Sequence, residues 1–305
     1  MAIRVHDLSL RQLEYAVAVA DTLGFHKAAE RCHVSQPTLS AQIKDLESAL
    51  GVELFERDRR RVLVTAAGEA VIARARRVFV EMDDLIAEAA KVARPGAALL
   101  RIGVIPTIAP YFLPDVLPAA RSRLPEVKLF FREDKTEAIM ADLREGRLDA
   151  CLLALEADIG KWPFSRIAKD EFVVALPREH PLAKKKRVAP SDLDGEQVLL
   201  LEDGHCFRTQ ALSVCDRAGA TEGELRATSL ATLTQMVSAG LGITLLPKIA
   251  VAVENRAGQL EIRRFTAPHP HRTLGLVWRP QSPFAETLRE LAASFESAVR
   301  RVAAG

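Results

Sequence analysis

A chain of 305 residues, 49% apolar and 27% charged, has the composition of a globular protein of two or three domains. A formal net charge of +2 points to no class of partner by itself. The polar start Met-Ala-Ile-Arg-Val-His-Asp predicts no signal peptide, and no apolar run is long enough for a membrane span. Four cysteines with no Cys-x-x-Cys, and histidines with no His-x-x-x-His, predict neither a disulfide scaffold nor a metal site. The expectation is a cytoplasmic protein whose thiols are reduced by default.

Residues 9–50 read as helices broken by short turns. Leu13, Val17, Ala20 and Leu23 recur at helical spacing, and the small Ala28-Ala29 pair permits close helix contact. After a turn at His33-Val34-Ser35, Ser35 is a good N-cap and Pro37 falls in the first turn, where its missing N–H costs nothing. The helix that follows buries Leu39, Ile43, Leu46 and Leu50 and ends at Gly51, which is helix–turn–helix grammar. Residues 52–64 read as a tight hairpin tipped by Arg57-Asp58-Arg59-Arg60-Arg61. Thr65 caps a long helix over 66–92. Its apolar positions Ala75, Val78, Met82, Leu85, Ala89 and Val92 have the heptad spacing of a dimer seam, or else face the helix's own domain. Arg94-Pro95-Gly96 marks a hinge.

From residue 99 onward strands and helices alternate. Strands are predicted at 99–105, 127–132, 149–155, 171–176, 197–201, 242–246 and 273–278. Helices are predicted near 110–123, 136–146, 205–218, 229–240 and 284–302. The alternation predicts parallel α/β sheets. The basic run Lys184–Arg187 reads as a solvated surface loop.

The helix after Ser35 offers Gln36, Thr38, Ser40, Gln42 and Lys44 between its apolar positions. Amide and hydroxyl groups at the start of such a helix suit base edges in a major groove. Arg57, Arg59 and Arg60 suit phosphates or a minor groove. Residues 1–94 hold 14 Lys/Arg and 14 Asp/Glu, so any basic footprint is local to these side chains. Taken alone, the same pattern also fits a helical domain with a polar outer face.

Cys206 and Cys215 lie on the helix predicted over 205–218. Their nine residue steps span about 13.5 Å and turn the side chains to opposite faces. A disulfide needs Cα atoms within about 7 Å. The helix and a Cys206–Cys215 bond therefore exclude one another, which is the shape of a redox switch. Cys206 lies near the predicted helix start, where partial positive charge favours the reactive thiolate, and His205 and Arg208 offer donors or charge beside it. The plain alternatives are a capping His205, a helix-capping Thr107 and core cysteines. Cys32 and Cys151 are read as core.

Several segments carry a family resemblance. Leu10-Arg11-Gln12-Leu13, Phe25-His26-Lys27-Ala28-Ala29-Glu30, Val34-Ser35-Gln36-Pro37-Thr38-Leu39-Ser40, Ile43-Lys44-Asp45-Leu46-Glu47 and Leu50-Gly51-Val52-Glu53-Leu54-Phe55-Glu56-Arg57 resemble, in order and spacing, the winged helix–turn–helix of LysR-type transcriptional regulators. Thr65-Ala66-Ala67-Gly68 stands for that family's usual Thr-x-Ala-Gly. The resemblance implies an α/β protein with three parts. Residues 1–65 form a winged helix–turn–helix DNA-binding domain and 66–94 a linker and dimerisation helix. Residues 99–305 form a two-lobed Rossmann-like effector domain of periplasmic-binding-protein type, with lobe I at about 99–167 and 273–305 and lobe II at about 168–272. Ser35 and Pro37 join the candidate DNA-binding residues on this basis.

Gly204-His205-Cys206-Phe207-Arg208 with Cys215 resembles the peroxide-sensing OxyR branch of the family. So do Gly103-Val104-Ile105-Pro106-Thr107, Thr228-Ser229-Leu230, Ala239-Gly240-Leu241-Gly242-Ile243-Thr244-Leu245-Leu246-Pro247 and Arg272-Thr273-Leu274-Gly275-Leu276-Val277. Ala231 departs from it, standing where that branch implies a glutamate, and residues after about 268 match less well. The resemblance implies Cys206 as the peroxidatic and Cys215 as the resolving thiol. It implies Thr107, Thr136 and His205 as peroxide-binding residues, and Arg272 as an arginine that positions the reacting oxygens. It further implies hydrogen peroxide as effector without a cofactor, and activation of oxidative-stress genes without enzyme turnover. The implied partners are a double-stranded DNA operator, a dimer through the 75–92 helix and a homotetramer, RNA polymerase, and thiol reductants. The alternative is a regulator answering a small organic anion, its cysteines incidental. A thiol peroxidase or a solute-binding protein on the same lobes fits the N-terminal helices poorly.

Overall fold

The computed structural model describes residues 8–58, 61–93 and 96–304. The chain divides into two units, Met1–Ile86 and Ala87–Gly305.

In the first unit, α1 (Leu10–Thr22) opens on a capping box. The Gln12 N–H donates to Ser9 Oγ at 3.2 Å, and the Ser9 N–H donates to Gln12 Oε1 at 2.9 Å. The short α2 (Phe25–Arg31) lays Ala28 and Ala29 flat against its neighbours, both buried. In α3 (Gln36–Leu50) Ser35 caps through the Thr38 N–H, and Leu39, Ile43 and Leu46 form the buried stripe. The strands β1 (Phe55–Asp58) and β2 (Arg61–Val64) pair antiparallel as the wing. Glu47 on α3 accepts from the Leu54 and Phe55 N–H groups at 2.8 and 3.2 Å, which fixes the start of the wing to α3. Phe25 and Phe55 close the core edge-to-face at 5.9 Å.

Thr65 caps α4 (Ala66–Ala93): its Oγ1 accepts from the Gly68 N–H at 2.9 Å and donates to the Glu53 carbonyl at 2.7 Å. A Cβ on Gly68 would stand 2.2 Å from the Leu54 carbonyl oxygen, so this position admits no side chain. Of the heptad positions, Ala75 is buried, whereas Val78, Met82 and Leu85 are exposed, Leu85 by 68%. Arg59, Arg60, Arg94 and Pro95, and the side chains of Arg57, Arg61 and Val92, lie outside the described residues.

The second unit is an α/β assembly of mixed sheets. In chain order it contains β3 (Ala98–Val104), α5 (Ala109–Arg123), β4 (Val127–Glu133), α6 (Thr136–Arg144), β5 (Ala150–Ala154) and β6 (Phe164–Pro177). There follow β7 (Arg187–Val188), β8 (Gln197–Leu201), α7 (Cys206–Ala218), β9 (Thr221–Ala227), α8 (Leu230–Ser238) and β10 (Ile243–Pro247). The chain finishes with α9 (Val251–Glu254), β11 (Leu260–Phe265), β12 (His271–Trp278) and α10 (Ala285–Ala304). The strand order is β4-β3-β5-β12-β6-β10-β8-β9, with β11 between β6 and β7. Pairs β3–β4, β3–β5, β8–β9, β8–β10 and β7–β11 are parallel. The sheets are nevertheless not wholly parallel, because β12 runs antiparallel to β5 and β6, and β6 antiparallel to β10 and β11.

The long β6 passes through both halves. Its first residues pair with β12 and its later ones with β10 and β11. One hydrophobic core gathers residues from 100–167 and 274–298, which we call lobe I. A second gathers residues from 172–265 together with Tyr111, which we call lobe II. Tyr111, on α5 of lobe I, reaches across and donates its hydroxyl to Glu254 at 2.5 Å.

Candidate redox site

The helix α7 begins at Cys206, ends at Gly219 and is continuous over both Cys206 and Cys215. All four cysteines are free thiols. Helical rise puts Cys206 and Cys215 about 13.5 Å apart. Cys206 is half-buried and rests against the lobe I core, although its helix belongs to lobe II. Cys215 is buried inside the lobe II core. Burial, and then the Asp216 carboxylate, push the Cys215 thiol up to about 11. It therefore keeps its proton at neutral pH and is no nucleophile while α7 is folded.

The segment before Cys206 makes a sharp entry. Gly204 adopts φ +91°, a conformation costly for other residues, and His205 follows as the N-cap without capping through its ring. A cavity of about 330 Å³ opens here. It is lined by Thr136, Met140 and Arg144 of α6, by Asp158, and by His205, Cys206 and Thr209 among others. Three of the residues expected from sequence, Thr136, His205 and Cys206, thus share one cavity wall. Thr136 Oγ1 is shielded from solvent and has no hydrogen-bond partner in the structure. Burial, and secondarily the Lys135 ammonium, lower the His205 pKa, so its ring is neutral at neutral pH.

Thr107 and Arg272 sit together and are not among the residues lining that cavity. Arg272 donates from Nη1 to Thr107 Oγ1 at 2.7 Å, from Nη2 to the Thr107 carbonyl at 2.8 Å and from Nε to Asp170 Oδ2 at 2.9 Å. Arg272 and Asp170 are both 0% exposed. Burial raises the Asp170 carboxyl above the ordinary range even with Arg272 beside it. The Arg272 guanidinium also lies 5.5 Å from the Phe207 ring centroid, and Phe207 meets Phe172 edge-to-face at 5.2 Å. Arg272 and Thr107 therefore brace the residue that follows Cys206.

Arg208, expected as a donor near the thiol, is occupied elsewhere. It pairs in bidentate fashion with Glu222 on β9 at 2.8 and 3.0 Å and bonds Asp203 at 2.9 Å, tying the first turn of α7 to the sheet. Cys151 is core, its thiol donating to the Ile139 carbonyl at 3.3 Å and pushed up by burial. Cys32 is only half-buried and forms the C-cap of α2 instead of lying within the helix. Sequence reasoning missed Asp170, whose partner lies 102 positions away, and Lys135, whose partner Glu202 lies across the lobes.

Of the residues expected to contact DNA, Gln36, Pro37 and Thr38 are exposed on α3, as is Lys44, with Ser40 and Gln42 half-buried. The Ser35 and Thr38 hydroxyls bond each other at 2.7 Å, which leaves Gln36 as the first outward side chain of the helix. No group of three or more His, Cys, Asp or Glu side chains among the described residues has a geometry to hold a metal ion. No helix among them is long and apolar enough to cross a membrane.

Residues 10–69 match the family model for the bacterial regulatory helix-turn-helix protein of the lysR family, and residues 93–300 match the LysR substrate binding domain. The chain is 42% identical over 288 residues to a hydrogen peroxide-inducible genes activator from Dickeya chrysanthemi, covering 94% of each. It superposes with a TM-score of 0.76 on a cysteine-to-aspartate mutant of full-length OxyR from Pseudomonas aeruginosa, at 36% identity and 94% coverage of both chains. A cysteine-to-serine mutant of Corynebacterium glutamicum OxyR with hydrogen peroxide bound superposes with a TM-score of 0.66 at 32% identity, covering 97% of this chain and 94% of that one. The chain belongs to the LysR family of bacterial transcription regulators, within its branch of hydrogen peroxide-inducible OxyR proteins.

Proposed function

We propose that this chain is a DNA-binding activator that senses hydrogen peroxide through Cys206 and stores the signal as a Cys206–Cys215 disulfide. The observation that carries this reading is the placement of both thiols on one unbroken helix, with Cys206 on a cavity shared with Thr136 and His205. The relatives' names support peroxide as the signal.

In the first step the Cys206 thiolate attacks one peroxide oxygen. The O–O bond breaks, the sulfur becomes a sulfenic acid, and the departing hydroxide takes a proton to become water. Thr136 Oγ1, unpartnered beside the cavity, and the neutral His205 ring are the groups placed to hold peroxide. Thr107 and Arg272 fix Phe207, and with it the first turn of α7. In the second step Cys215 sulfur attacks Cys206 sulfur. The S–S bond forms, the S–O bond breaks, and hydroxide leaves with the Cys215 proton as water. Peroxide is reduced to two waters while two thiols are oxidised, and a thiol reductant resets the pair. The process is stoichiometric, not catalytic turnover.

The disulfide cannot form on a helix, so α7 unwinds and the lobe surfaces it supports change. In a homo-oligomer joined through the exposed apolar face of α4, that change alters the spacing of the α3 helices on an operator and the contact with RNA polymerase. The protein acts in the cytoplasm. The experiment is peroxide titration of the reduced full-length protein, followed by mass spectrometry of its peptides and operator footprinting. The expected result is one Cys206–Cys215 link per chain and an altered footprint. A changed footprint without that link overturns the mechanism.

A further inference from the structure

One side chain joins the two lobes beside Cys206 and has no part in the reading above. Lys135 is the N-cap residue of α6 in lobe I. Its Nζ donates to Glu202 Oε1 at 2.7 Å and to the Asp203 carbonyl at 3.0 Å. Both acceptors belong to the segment between β8 and α7, in lobe II. The Lys135 stem lies flat against the same segment, since a Cβ on Gly204 would stand 2.9 Å from Lys135 Cδ. Thr136 follows Lys135 in the chain, and His205 and Cys206 follow Gly204. A single ammonium therefore ties the helix that starts at Thr136 to the loop that leads into Cys206, and Thr136 and Cys206 line one cavity. The Glu202 carboxyl is held low by the Lys135 hydrogen bond, consistent with a formed ion pair.

The two steps of oxidation ask opposite things of this tie. Attack on peroxide needs the Cys206 sulfur and the α6 groups in fixed relative positions, and small displacements are costly. Disulfide closure needs the Cys206 end of α7 to leave the lobe I core, with residues 202–205 as its hinge. A clamp on that hinge assists the first step and resists the second. We propose that Lys135 is a positioning residue with opposed effects on the two steps, speeding sulfenic acid formation and slowing closure of the disulfide. The inference rests on the proposed peroxide chemistry.

The ion pair is partly exposed, 38% for Lys135 and 41% for Glu202. Exposed pairs are modest, so each rate should change by about two- to fivefold. The test uses full-length protein in which only Lys135 is changed. Lys135→Met keeps the stem on Gly204 and removes the charge; Lys135→Arg keeps the charge. The first rate is read by trapping the sulfenic acid with dimedone in a Cys215→Ser background. The second is read by quenched-flow mass spectrometry of the link after a single pulse of peroxide. Lys135→Met should lower the first rate and raise the second, each by about two- to fivefold, and Lys135→Arg should restore both toward the parent. Two unchanged rates, or two rates moved in the same direction, would overturn the proposal. If the parent itself forms no sulfenic acid at Cys206, the peroxide reading fails instead, and the two failures are distinguishable.

Discussion

Cys206 and Cys215 share one helix but not one core: Cys206 rests on lobe I and Cys215 is sealed in lobe II. The helix acts as a strut holding the two sulfurs apart, and the lobe cores hold the strut. Joining the sulfurs therefore requires local unfolding before or during bond formation, and on the proposed mechanism that unfolding turns the chemistry into a change of shape.

The two thiols are not interchangeable in this arrangement. Cys206 faces a cavity, whereas Cys215 is buried and protonated. Cys215→Ser should still gain one oxygen or a dimedone adduct at Cys206 and form no intramolecular link. Cys206→Ser should gain neither at low peroxide. Intact-protein mass spectrometry reads both, and rapid adduct formation on Cys215 in the Cys206→Ser protein would contradict the assignment.

Cys215 also imposes a pH dependence. Its folded value, about 11, lies above the unfolded value near 8.5, so the native state keeps a proton that the unfolded chain loses. The stability it contributes is fully present below about pH 8.5 and is lost as pH rises through about 11. The urea midpoint of the reduced protein should therefore fall more steeply over this window than that of Cys215→Ala. Parallel declines in the two proteins would show that Cys215 is not the group responsible.

Arg272 and Asp170 form an ion pair with neither side chain reaching solvent. Arg272→Met leaves Asp170 with only backbone donors in a site whose burial already raises its carboxyl. The expected cost is about 3–5 kcal/mol in urea unfolding. Replacing both, Asp170→Leu with Arg272→Met, should recover much of that loss, because the desolvation cost disappears with the charge. A double variant no more stable than Arg272→Met would mean the pair itself contributes net stability.

The legible parts of this chain were those whose residues interact locally. Ser35 with Pro37, Thr65 before Gly68, and the cysteine spacing on α7 each encode their element within a few positions. β9 was missed because it buries only Gly223 and Ala227 of its seven residues, and its exposed remainder is charged or polar except for Leu225. β11 was missed because its middle is Glu-Ile-Arg-Arg, a poor strand signal that pairing with β6 overrides. The antiparallel strands joining the lobes, and with them Asp170 opposite Arg272, depend on a register between positions about a hundred residues apart. No local periodicity reports such a pairing. Lys135 was invisible for the same reason: only tertiary structure brings it to Glu202.

Gly68 tests the coupling of the wing to α4. A methyl at this position meets the Leu54 carbonyl oxygen, and Leu54 begins the segment that Glu47 anchors to α3. Gly68→Ala should cost about 1–3 kcal/mol in the first unit and weaken operator binding through a displaced wing. Peroxide oxidation of the cysteines should be unchanged. Thermal unfolding, gel shift and thiol mass spectrometry separate these effects, and wild-type operator affinity in Gly68→Ala would refute the coupling.

Thr136 should set stability against sensing. Its Oγ1 is shielded and unpartnered, and an unsatisfied buried hydroxyl costs about 1–3 kcal/mol. Thr136→Val keeps the shape of the first turn of α6 and removes that penalty, so the reduced protein should become more stable by about 1 kcal/mol or more. The same change removes a hydroxyl beside the cavity proposed for peroxide, so sulfenic acid formation should slow about a hundredfold, the lower end of what one positioned donor contributes. Thr136→Ser restores the hydroxyl and should recover the rate. Stability follows from urea unfolding and the rate from dimedone trapping in a Cys215→Ser background. A Thr136→Val protein that is more stable and equally fast would show that the orphan hydroxyl serves no peroxide. One that is both less stable and slower would mean that the hydroxyl has a structural partner in solution.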